Sequence, residues 1–369
     1  MKKTVRIGII GIGNMGKVHA RHLLEGKVKR ATLAAIVDRD PVRLQKLPGV
    51  PGFADCAELF RAGLVDAVIV ATPHYHHTVA GIAALRAGLH VLVEKPLSVD
   101  KADAEKLLAA HTDRRKVFGI VFNQRTDPAY RRLRELVRGG ELGAVRRVSW
   151  TITDWFRPDA YFAGGGWRAT WAGEGGGVLI NQSTHNLDLL QWIFGPPVRV
   201  RGFCRFGRYH PIEVEDDVTA YLEFANGSHG TFITSTGEAP GTNRLEVAAE
   251  NGRVVIEPGS FRYTRNAEPM SKFSRKAREP FVKPATTEVP VQIEGTGGQH
   301  LEIVQNFVEA ILDRRPLIAP AAEGIRTVEL VNAILLSSWT GRTIELPMNS
   351  ATYRRWLKRK IAEAAKRKK

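Results

Sequence analysis

The sequence has little cysteine and no long apolar run. No stretch of 18 consecutive apolar residues occurs, and Met1-Lys2-Lys3 leads into the first predicted strand without an apolar signal segment. Cys56 and Cys204 are too few and too far apart in sequence to form a disulfide framework. These absences argue against a membrane-spanning or secreted protein, and we expect a cytoplasmic one. With 369 residues and no internal repeat, the chain is long enough for two cores.

Acidic residues are scarce relative to basic ones, which leaves a net charge of +16. Residues 349–369 carry half of this excess, with nine lysines and arginines against one glutamate. Such a segment could bind nucleic acid or an anionic surface. We favour a solvated helix or tail whose Trp356, Leu357 and Ile361 pack on the body, because no aromatic-lined basic groove accompanies it. Neither nucleic acid nor a membrane is therefore expected as a partner.

The first motif is glycine-rich and lies between a predicted strand and a predicted helix. A β-branched segment, 4–10, precedes it, and helical periodicity follows from Lys17. The glycines permit a tight turn and close approach of the backbone to a diphosphate, at which the helix directs its N–H groups. We expect the cofactor-binding residues of this turn to be Gly11, Ile12, Gly13, Asn14, Met15 and Gly16.

A second strand, 31–37, ends at Asp38, which lies 22 residues after Gly16. This spacing is typical of a carboxylate that binds the adenosine ribose hydroxyls, and its charge favours NAD. Arg39 is the next residue, and a guanidinium there could meet a 2′-phosphate. NADP is therefore kept as the less favoured cofactor.

The alternation of strands and helices continues, and polar residues follow the next three strands. Strand 66–71 ends at Thr72-Pro73 and three nearby histidines, strand 89–93 ends at Glu94-Lys95-Pro96, and strand 116–122 runs into Asn123-Gln124-Arg125. Ligands bind at the carboxyl ends of parallel strands, so further cofactor contacts are expected from Thr72, Pro73, His77, Glu94, Lys95 and Asn123. No carboxylate or cysteine completes a ligand set with the histidines, so no metal is predicted.

Pro96 restricts the backbone of Lys95 and directs it away from helical geometry. Taken alone, the motif would fit a surface lysine at the junction of a strand and a loop. Beside a dinucleotide motif, it favours a lysine presented to the cofactor.

From about Val145 the pattern changes to strand-like segments with Asn-Gly turns, typical of an antiparallel sheet. We therefore predict an α/β Rossmann domain, followed by an α+β domain with a large, mainly antiparallel, open-faced sheet. The predicted divisions are 1–124, 125–348 and a basic C-terminal helix or tail, 349–369. Residues 265–290 are expected to form a long exposed excursion.

A second polar cluster follows the glycine run 175–177. A helix predicted from Asn181 to Phe194 would place four polar side chains on one stripe: Asn181, Thr184, His185 and Asp188. A polar stripe after a glycine turn suggests a cavity wall. Asp188, deeper in the helix, is expected to be a supporting residue.

Together these motifs resemble the glucose–fructose oxidoreductase / inositol dehydrogenase / rhizopine catabolism (Gfo/Idh/MocA) family, from residue 4 to about 347. The resemblance implies a sheet domain used for oligomerisation, and oxidation or reduction of sugars, cyclitols or their derivatives. It places Lys95 and His185 near the reacting hydroxyl and the Trp167-Arg168 pair at the nicotinamide end. Many relatives carry an aspartate where this chain has Asn181. Because an amide cannot ionise, this departure puts the usual proton relay in doubt, and the hydride transfer is unaffected.

The resulting hypothesis is an NAD(P)-dependent sugar or polyol dehydrogenase that forms a homodimer or homotetramer. Its catalytic residues would be Lys95, His185 and Asn181, and its other substrate contacts Arg125, Asp154 and Thr184. One alternative is a glycoside-cleaving enzyme that uses bound NAD without net redox change. Another is a non-catalytic NAD-binding sugar sensor, against which the presence of both Lys95 and His185 argues.

Overall fold

Two β-sheets of different construction organise the computed structural model, which describes residues 3–164 and 166–367. The first sheet has six strands, all parallel, in the order β3-β2-β1-β4-β5-β6. Its elements in chain order are β1 (Val5–Ile10), α1 (Asn14–Leu24), β2 (Ala31–Val37), α2 (Pro41–Gln45), β3 (Gly52–Phe53), α3 (Cys56–Ala62), β4 (Ala67–Val70), α4 (His74–Arg86), β5 (His90–Val93), α5 (Lys101–Ala109) and β6 (Phe118–Ile120).

The order of these strands creates a crevice. The chain runs outward from β1 to β2 and β3, then crosses back to place β4 on the other side of β1. Adjacent connections therefore leave in opposite directions, and ligands bind at such a point. The predicted parallel Rossmann sheet is confirmed. Helix α1 begins at Asn14, three residues earlier than its periodicity predicted.

The second sheet has nine strands in the order β14-β13-β12-β11-β7-β10-β9-β8-β15, antiparallel except for the parallel pair β7 and β10. A short 3-10 helix, Asn123–Thr126, leads into this part of the chain. The remaining elements are α6 (Pro128–Arg138), β7 (Val145–Ile152), α7 (Asp159–Ala163), α8 (Thr184–Phe194), β8 (Pro197–Phe206), β9 (Glu215–Phe224), β10 (His229–Ser235), β11 (Asn243–Ala249), β12 (Gly252–Glu257), β13 (Ser260–Asn266), α9 (Met270–Lys276), β14 (Thr286–Val289), α10 (Gln299–Asp313), α11 (Ala321–Thr340), β15 (Ile344–Glu345) and α12 (Ser350–Arg367).

One face of the second sheet is covered and the other carries exposed aromatic side chains. Helix α11 packs against β8, and Val200, Ala220 and Leu222 are buried in the same core. On the opposite face Phe203 is 56% exposed and Tyr221 is 41% exposed. The prediction of a mainly antiparallel second sheet is confirmed.

The structure differs from two expectations about this part of the chain. The excursion predicted for 265–290 is largely exposed, as expected, but it contains helix α9 and strand β14, which pairs with β13 at the edge of the sheet. The hydrogen bonds that β14 forms with β13 stabilise a strand that the irregular local sequence did not predict. The helix predicted from Asn181 begins at Thr184, so Asn181 lies in the turn before it.

The C-terminal helices contact both the parallel sheet and the nine-stranded sheet. Phe307 of α10 packs in one cluster with Ile7 and Ile9 of β1. The divisions predicted at residues 124 and 348 stay predictions. None of the helices in residues 3–164 and 166–367 is long and apolar enough to cross a membrane.

Helix α12 carries the basic segment, and it packs on the body as the sequence indicated. Tyr353 and Leu357 are buried, and Trp356 stacks on Trp339 with the ring centroids 6.3 Å apart. The Arg354 guanidinium also binds the carboxylate of Asp100, with Nη2 2.6 Å from Oδ1. Asp100 caps the N-terminus of α5 by accepting a hydrogen bond from the backbone N–H of Asp103. Helix α12 is therefore attached both to α11, through Trp339, and to α5 of the parallel-sheet part of the chain.

Candidate active site

A cleft of about 620 Å³ opens at the carboxyl ends of the parallel strands. Its size lies in the usual range for a pocket that binds a small molecule or cofactor. The lining brings together most of the residues that the sequence predicted for the cofactor: Gly11, Gly13, Asn14, Met15, Asp38, Arg39, Thr72, Pro73, His77, Glu94, Lys95, Trp167 and Arg168.

The glycine turn leaves room for an anion beside the backbone. A methyl group added to Gly13 would have no atom within 4 Å, whereas one added to Gly16 would lie 1.9 Å from the carbonyl oxygen of Gly11. Gly16 therefore permits the helix to pack against the turn, and Gly13 keeps the approach to the α1 N-terminus open. Gly11 has φ +93°, a conformation that other L-residues avoid. These features fit the diphosphate of a dinucleotide.

Asp38 is held in place by the glycine turn itself. Its Oδ2 accepts a hydrogen bond of 2.7 Å from the backbone N–H of Ile12, and its Oδ1 accepts one of 2.9 Å from Asp40. Ile12 is buried and shapes the turn through this contact. The carboxylate lines the cleft at the end of β2, where the ribose is expected, with its acceptor geometry already fixed.

Lys95 lies at the end of β5 and faces the cleft. Its Nζ donates a hydrogen bond of 2.8 Å to the backbone carbonyl oxygen of Asn181. Burial lowers the pKa of Lys95, while the charges of Glu94 and Glu174 act in the opposite direction. The amine therefore has a fixed direction, and its protonation depends on neighbouring carboxylates.

Glu94 is anchored beneath this lysine. Its Oε1 accepts a hydrogen bond of 2.7 Å from Nε2 of His19, and its Oε2 accepts one of 3.2 Å from the backbone N–H of Lys95. Burial acts to raise the pKa of Glu94, but the hydrogen bond and charge of His19 outweigh it and hold the value at about 2. Glu94 is thus a permanent carboxylate. His19 escaped the sequence reasoning because its helical segment carried no separate signal.

His185 lies in the first turn of α8 and is 8% exposed. Burial lowers its pKa well below the ordinary value, and the charge of Lys95 lowers it further. The imidazole is therefore neutral near pH 7, and its Nδ1 has no hydrogen-bond partner within the described part of the chain. A neutral imidazole close to a lysine can accept a proton from a bound hydroxyl.

A buried carboxylate that sequence reasoning missed lies beside Asn181. Glu174 is 3% exposed, and its Oε2 accepts a hydrogen bond of 2.7 Å from the backbone N–H of Ala169. Its Oε1 accepts a short hydrogen bond from Nδ2 of Asn181, which lines the cleft. The available signal was a glutamate placed directly before the glycine run 175–177.

Of three further residues predicted to bind substrate, two have protein partners and the third is exposed. Arg125 forms a buried ion pair with Asp188, both contacts being 2.7 Å, and its Nη1 donates to Glu323. The Thr184 hydroxyl donates to backbone carbonyls of the preceding turn, and Asp154 is exposed after β7. The polar groups of Arg125 and Thr184 thus already have protein partners, and their predicted contacts with substrate stay predictions. Asp188 is a supporting residue, as expected.

Asn123 and two of the histidines after β4 also have protein partners. The Asn123 amide donates a hydrogen bond of 2.7 Å to Oε1 of Gln299. Nδ1 of His74 lies 3.1 Å from the carbonyl oxygen of Glu174, and the two ring nitrogens of His77 each lie 2.7 Å from a backbone carbonyl oxygen. Among the residues described, no group of three or more histidine, cysteine or carboxylate side chains could hold a metal ion.

Comparison with known proteins agrees with this geometry. A model of the oxidoreductase family with an NAD-binding Rossmann fold matches residues 5–122, and a model of the GFO/IDH/MocA C-terminal domain matches residues 130–255. Inositol 2-dehydrogenase of Leifsonia xyli is 31% identical over 60% of this chain and 64% of its own length, so that match spans less than two thirds of the relative.

Longer matches exist at lower identity. Inositol 2-dehydrogenase of Rhizobium meliloti is 25% identical over 93% of this chain and 99% of its own length. A crystal structure of the WlbA dehydrogenase from Chromobacterium violaceum, in complex with NADH and UDP-GlcNAcA, has a TM-score of 0.81 and 25% identity. The likeness covers 94% of this chain and 97% of that one. The chain, with its NAD-binding Rossmann fold, therefore belongs to the Gfo/Idh/MocA oxidoreductase family.

Proposed function

We propose that the protein transfers a hydride between NAD and a secondary alcohol or ketone of a sugar, a cyclitol or one of their derivatives. The observation that carries this proposal is the position of Lys95, which lines the cleft and whose positive charge acts on the buried imidazole of His185 in α8. The relatives support the substrate class, since those named above are inositol dehydrogenases and a dehydrogenase bound to a sugar nucleotide.

Each group has a defined role in the oxidative direction. Bound NAD supplies the hydride acceptor. Lys95 donates a hydrogen bond to the reacting oxygen and stabilises the negative charge that develops there. A ring nitrogen of His185 takes the hydroxyl proton as the carbon–hydrogen bond breaks. Asn181 orients a neighbouring hydroxyl from the cleft wall, while Trp167 and Arg168 border the nicotinamide end.

We also propose the setting in which the protein works. The exposed aromatic face of the second sheet supports a homodimer or a dimer of dimers. Both cysteines are free thiols, which supports a reducing, cytoplasmic compartment.

A substrate panel tests the proposed activity. Purified protein is mixed with NAD and with inositols, polyols and sugars, and NADH fluorescence is followed. At least one compound should give a steady rise that depends on the enzyme. Cleavage of an aryl glycoside with retained NAD, and no NADH from any compound, would favour the glycoside-cleaving alternative instead.

A further inference from the structure

Glu174 and Lys95 are connected through a single residue. The Glu174 carboxylate accepts a hydrogen bond from the side-chain amide of Asn181. The backbone carbonyl of the same Asn181 accepts a hydrogen bond of 2.8 Å from Nζ of Lys95. A chain of contacts thus runs from a buried carboxylate, through one asparagine, to the ammonium that faces the cleft.

The Asn181 amide is also oriented by these contacts. Its Nδ2 donates to Glu174 and lies 3.4 Å from the hydroxyl of Tyr161, which accounts for both amide hydrogens. The side-chain oxygen Oδ1 has no partner within residues 3–164 and 166–367, and Asn181 lines the cleft. A substrate hydroxyl would therefore meet an acceptor at this position.

Glu174 is buried, and it forms no direct ion pair with any of the residues that the structure describes. A buried carboxylate is unfavourable unless hydrogen bonds and a nearby cation compensate it. Two hydrogen bonds are present, from Ala169 and Asn181, and the positive charges of Arg168 and Lys95 act on the group. Burial raises the pKa of Glu174, while these hydrogen bonds and positive charges oppose that shift and favour the charged carboxylate beside the lysine.

We propose that Glu174 is a positioning residue of this active site, acting through Asn181. It orients the amide so that Oδ1 accepts a hydrogen bond from a substrate hydroxyl, and it supplies a buried negative charge that favours the Lys95 ammonium. This inference rests on the proposed hydride transfer for its effect on rate, but its effect on Lys95 is independent of the reaction.

Several other charged groups act on this lysine, and the test has to separate them. Glu94, fixed by His19, favours the ammonium, whereas Arg157 and Arg168 oppose it. The imidazoles on which the charge of Lys95 acts are those of His74, His77, His185 and His300. Only substitutions at Glu174 and Asn181 change the contact chain while leaving these groups in place.

Three variants divide the effect of charge from that of shape. Glu174→Gln removes the charge and keeps the size, so the Lys95 pKa should fall and the alkaline limb of the pH–rate profile should move to lower pH. Asn181→Asp adds a negative charge, so the Lys95 pKa should rise and the alkaline limb should move to higher pH. The double variant E174Q/N181D moves the negative charge from residue 174 to residue 181, so the Lys95 pKa and the alkaline limb should return toward their wild-type values.

The Lys95 pKa is measured without catalysis. Competitive labelling with trace acetic anhydride across pH, followed by peptide mass spectrometry, reports the titration of each lysine. Glu215→Gln is the matched control, because Glu215 is a buried carboxylate that contacts the backbone N–H groups of Gly177 and Leu179 in the same loop but does not touch Asn181. The control should leave the Lys95 titration unchanged.

The outcomes separate the two proposals. An unchanged Lys95 titration in Glu174→Gln, with activity present in the wild type, would overturn the role of Glu174 alone. A wild type that never reduces NAD would overturn the proposed function, while labelling still reports on Glu174. If Glu174→Gln does not fold, the double variant is compared with Asn181→Asp. The two differ only in the charge at residue 174, so the Lys95 pKa must be lower in the double variant.

We expect kcat/KM to fall about tenfold in Glu174→Gln, which corresponds to the loss of roughly one oriented hydrogen bond.

Discussion

At the scale of single residues, the proposed mechanism assigns Lys95 and His185 different roles at one substrate oxygen. Lys95→Ala removes the donor to the developing alkoxide and His185→Ala removes the proton acceptor, so each should lower kcat by about 10²–10⁴-fold. The affinity for NAD should change little, because the turn at Gly13 and the Asp38 carboxylate lie elsewhere in the cleft. Steady-state kinetics and fluorescence titration measure the two quantities. Near-normal turnover in His185→Ala would mean that this histidine is structural.

We propose that Asp38 sets the preference for NAD over NADP. Its carboxylate faces the expected ribose position and would repel a 2′-phosphate, so NAD(H) should bind at least about tenfold tighter than NADP(H). Asp38→Asn keeps an acceptor for the backbone N–H of Ile12 and should narrow this difference. Quenching of protein fluorescence by each nucleotide measures the affinities. Equal affinities in the wild type would show that Arg39 compensates for the carboxylate.

Residue types and spacing were sufficient to predict Gly13, Asp38 and Lys95 in the cleft, because each follows directly from a strand whose periodicity is local. The partners of Arg125 were not predictable. Asp188 and Glu323 approach it from helices 63 and 198 residues away, and only the packed fold brings them together. Glu174 was missed for the same reason, since its contact with Asn181 depends on how the glycine turn between them folds back.

At the scale of elements, the glycine turn before α8 depends on a clamp from β9. Glu215 begins that strand, is fully buried, and its Oε1 accepts hydrogen bonds of 2.8 Å from Gly177 and 3.2 Å from Leu179. Burial raises the pKa of Glu215 to about 7, although those backbone donors oppose the shift. The folded protein therefore holds this proton over a range of pH in which the unfolded chain has released it.

The sign of the resulting pH dependence follows from linkage. The folded state binds more protons between the ordinary glutamate pKa of about 4.5 and the raised value of about 7. Stability from this group therefore falls as pH rises through that window and is constant above it. Glu215→Gln should not lose stability in this way. The melting temperature of the variant minus that of the wild type should therefore increase from pH 4.5 to pH 7. A constant difference across that range would contradict the assignment.

The boundaries of elements were less predictable than their existence. The helix predicted from Asn181 starts at Thr184 because the Thr184 hydroxyl and the Glu215 carboxylate hold the preceding residues in turns. Strand β14 escaped notice because it is short, polar and stabilised by pairing with β13 at the sheet edge. In both cases a contact made outside the segment decided its conformation.

At the scale of the whole molecule, the exposed face of the nine-stranded sheet should determine assembly. Phe203 and Tyr221 lie on neighbouring strands of that face. Light scattering should give a mass of two or four times 40.8 kDa, and Phe203→Arg should lower it by placing a charge in the contact. Glu25→Ala, a change on the exposed end of α1, serves as a control that should leave the mass unchanged. A wild-type monomer would contradict the proposed assembly.

The attachment of α12 limits how the two parts of the molecule can move. Opening them like a clamshell on that side would separate Arg354 from Asp100 and draw Tyr353 out of its buried position. The cleft is therefore preformed, and we expect its two walls to shift by small sliding movements instead of a wide hinge rotation. The radius of gyration from X-ray scattering should then be the same with and without NADH. We therefore expect turnover to be limited by the exchange of nucleotide at a fixed opening, not by closure of a lid.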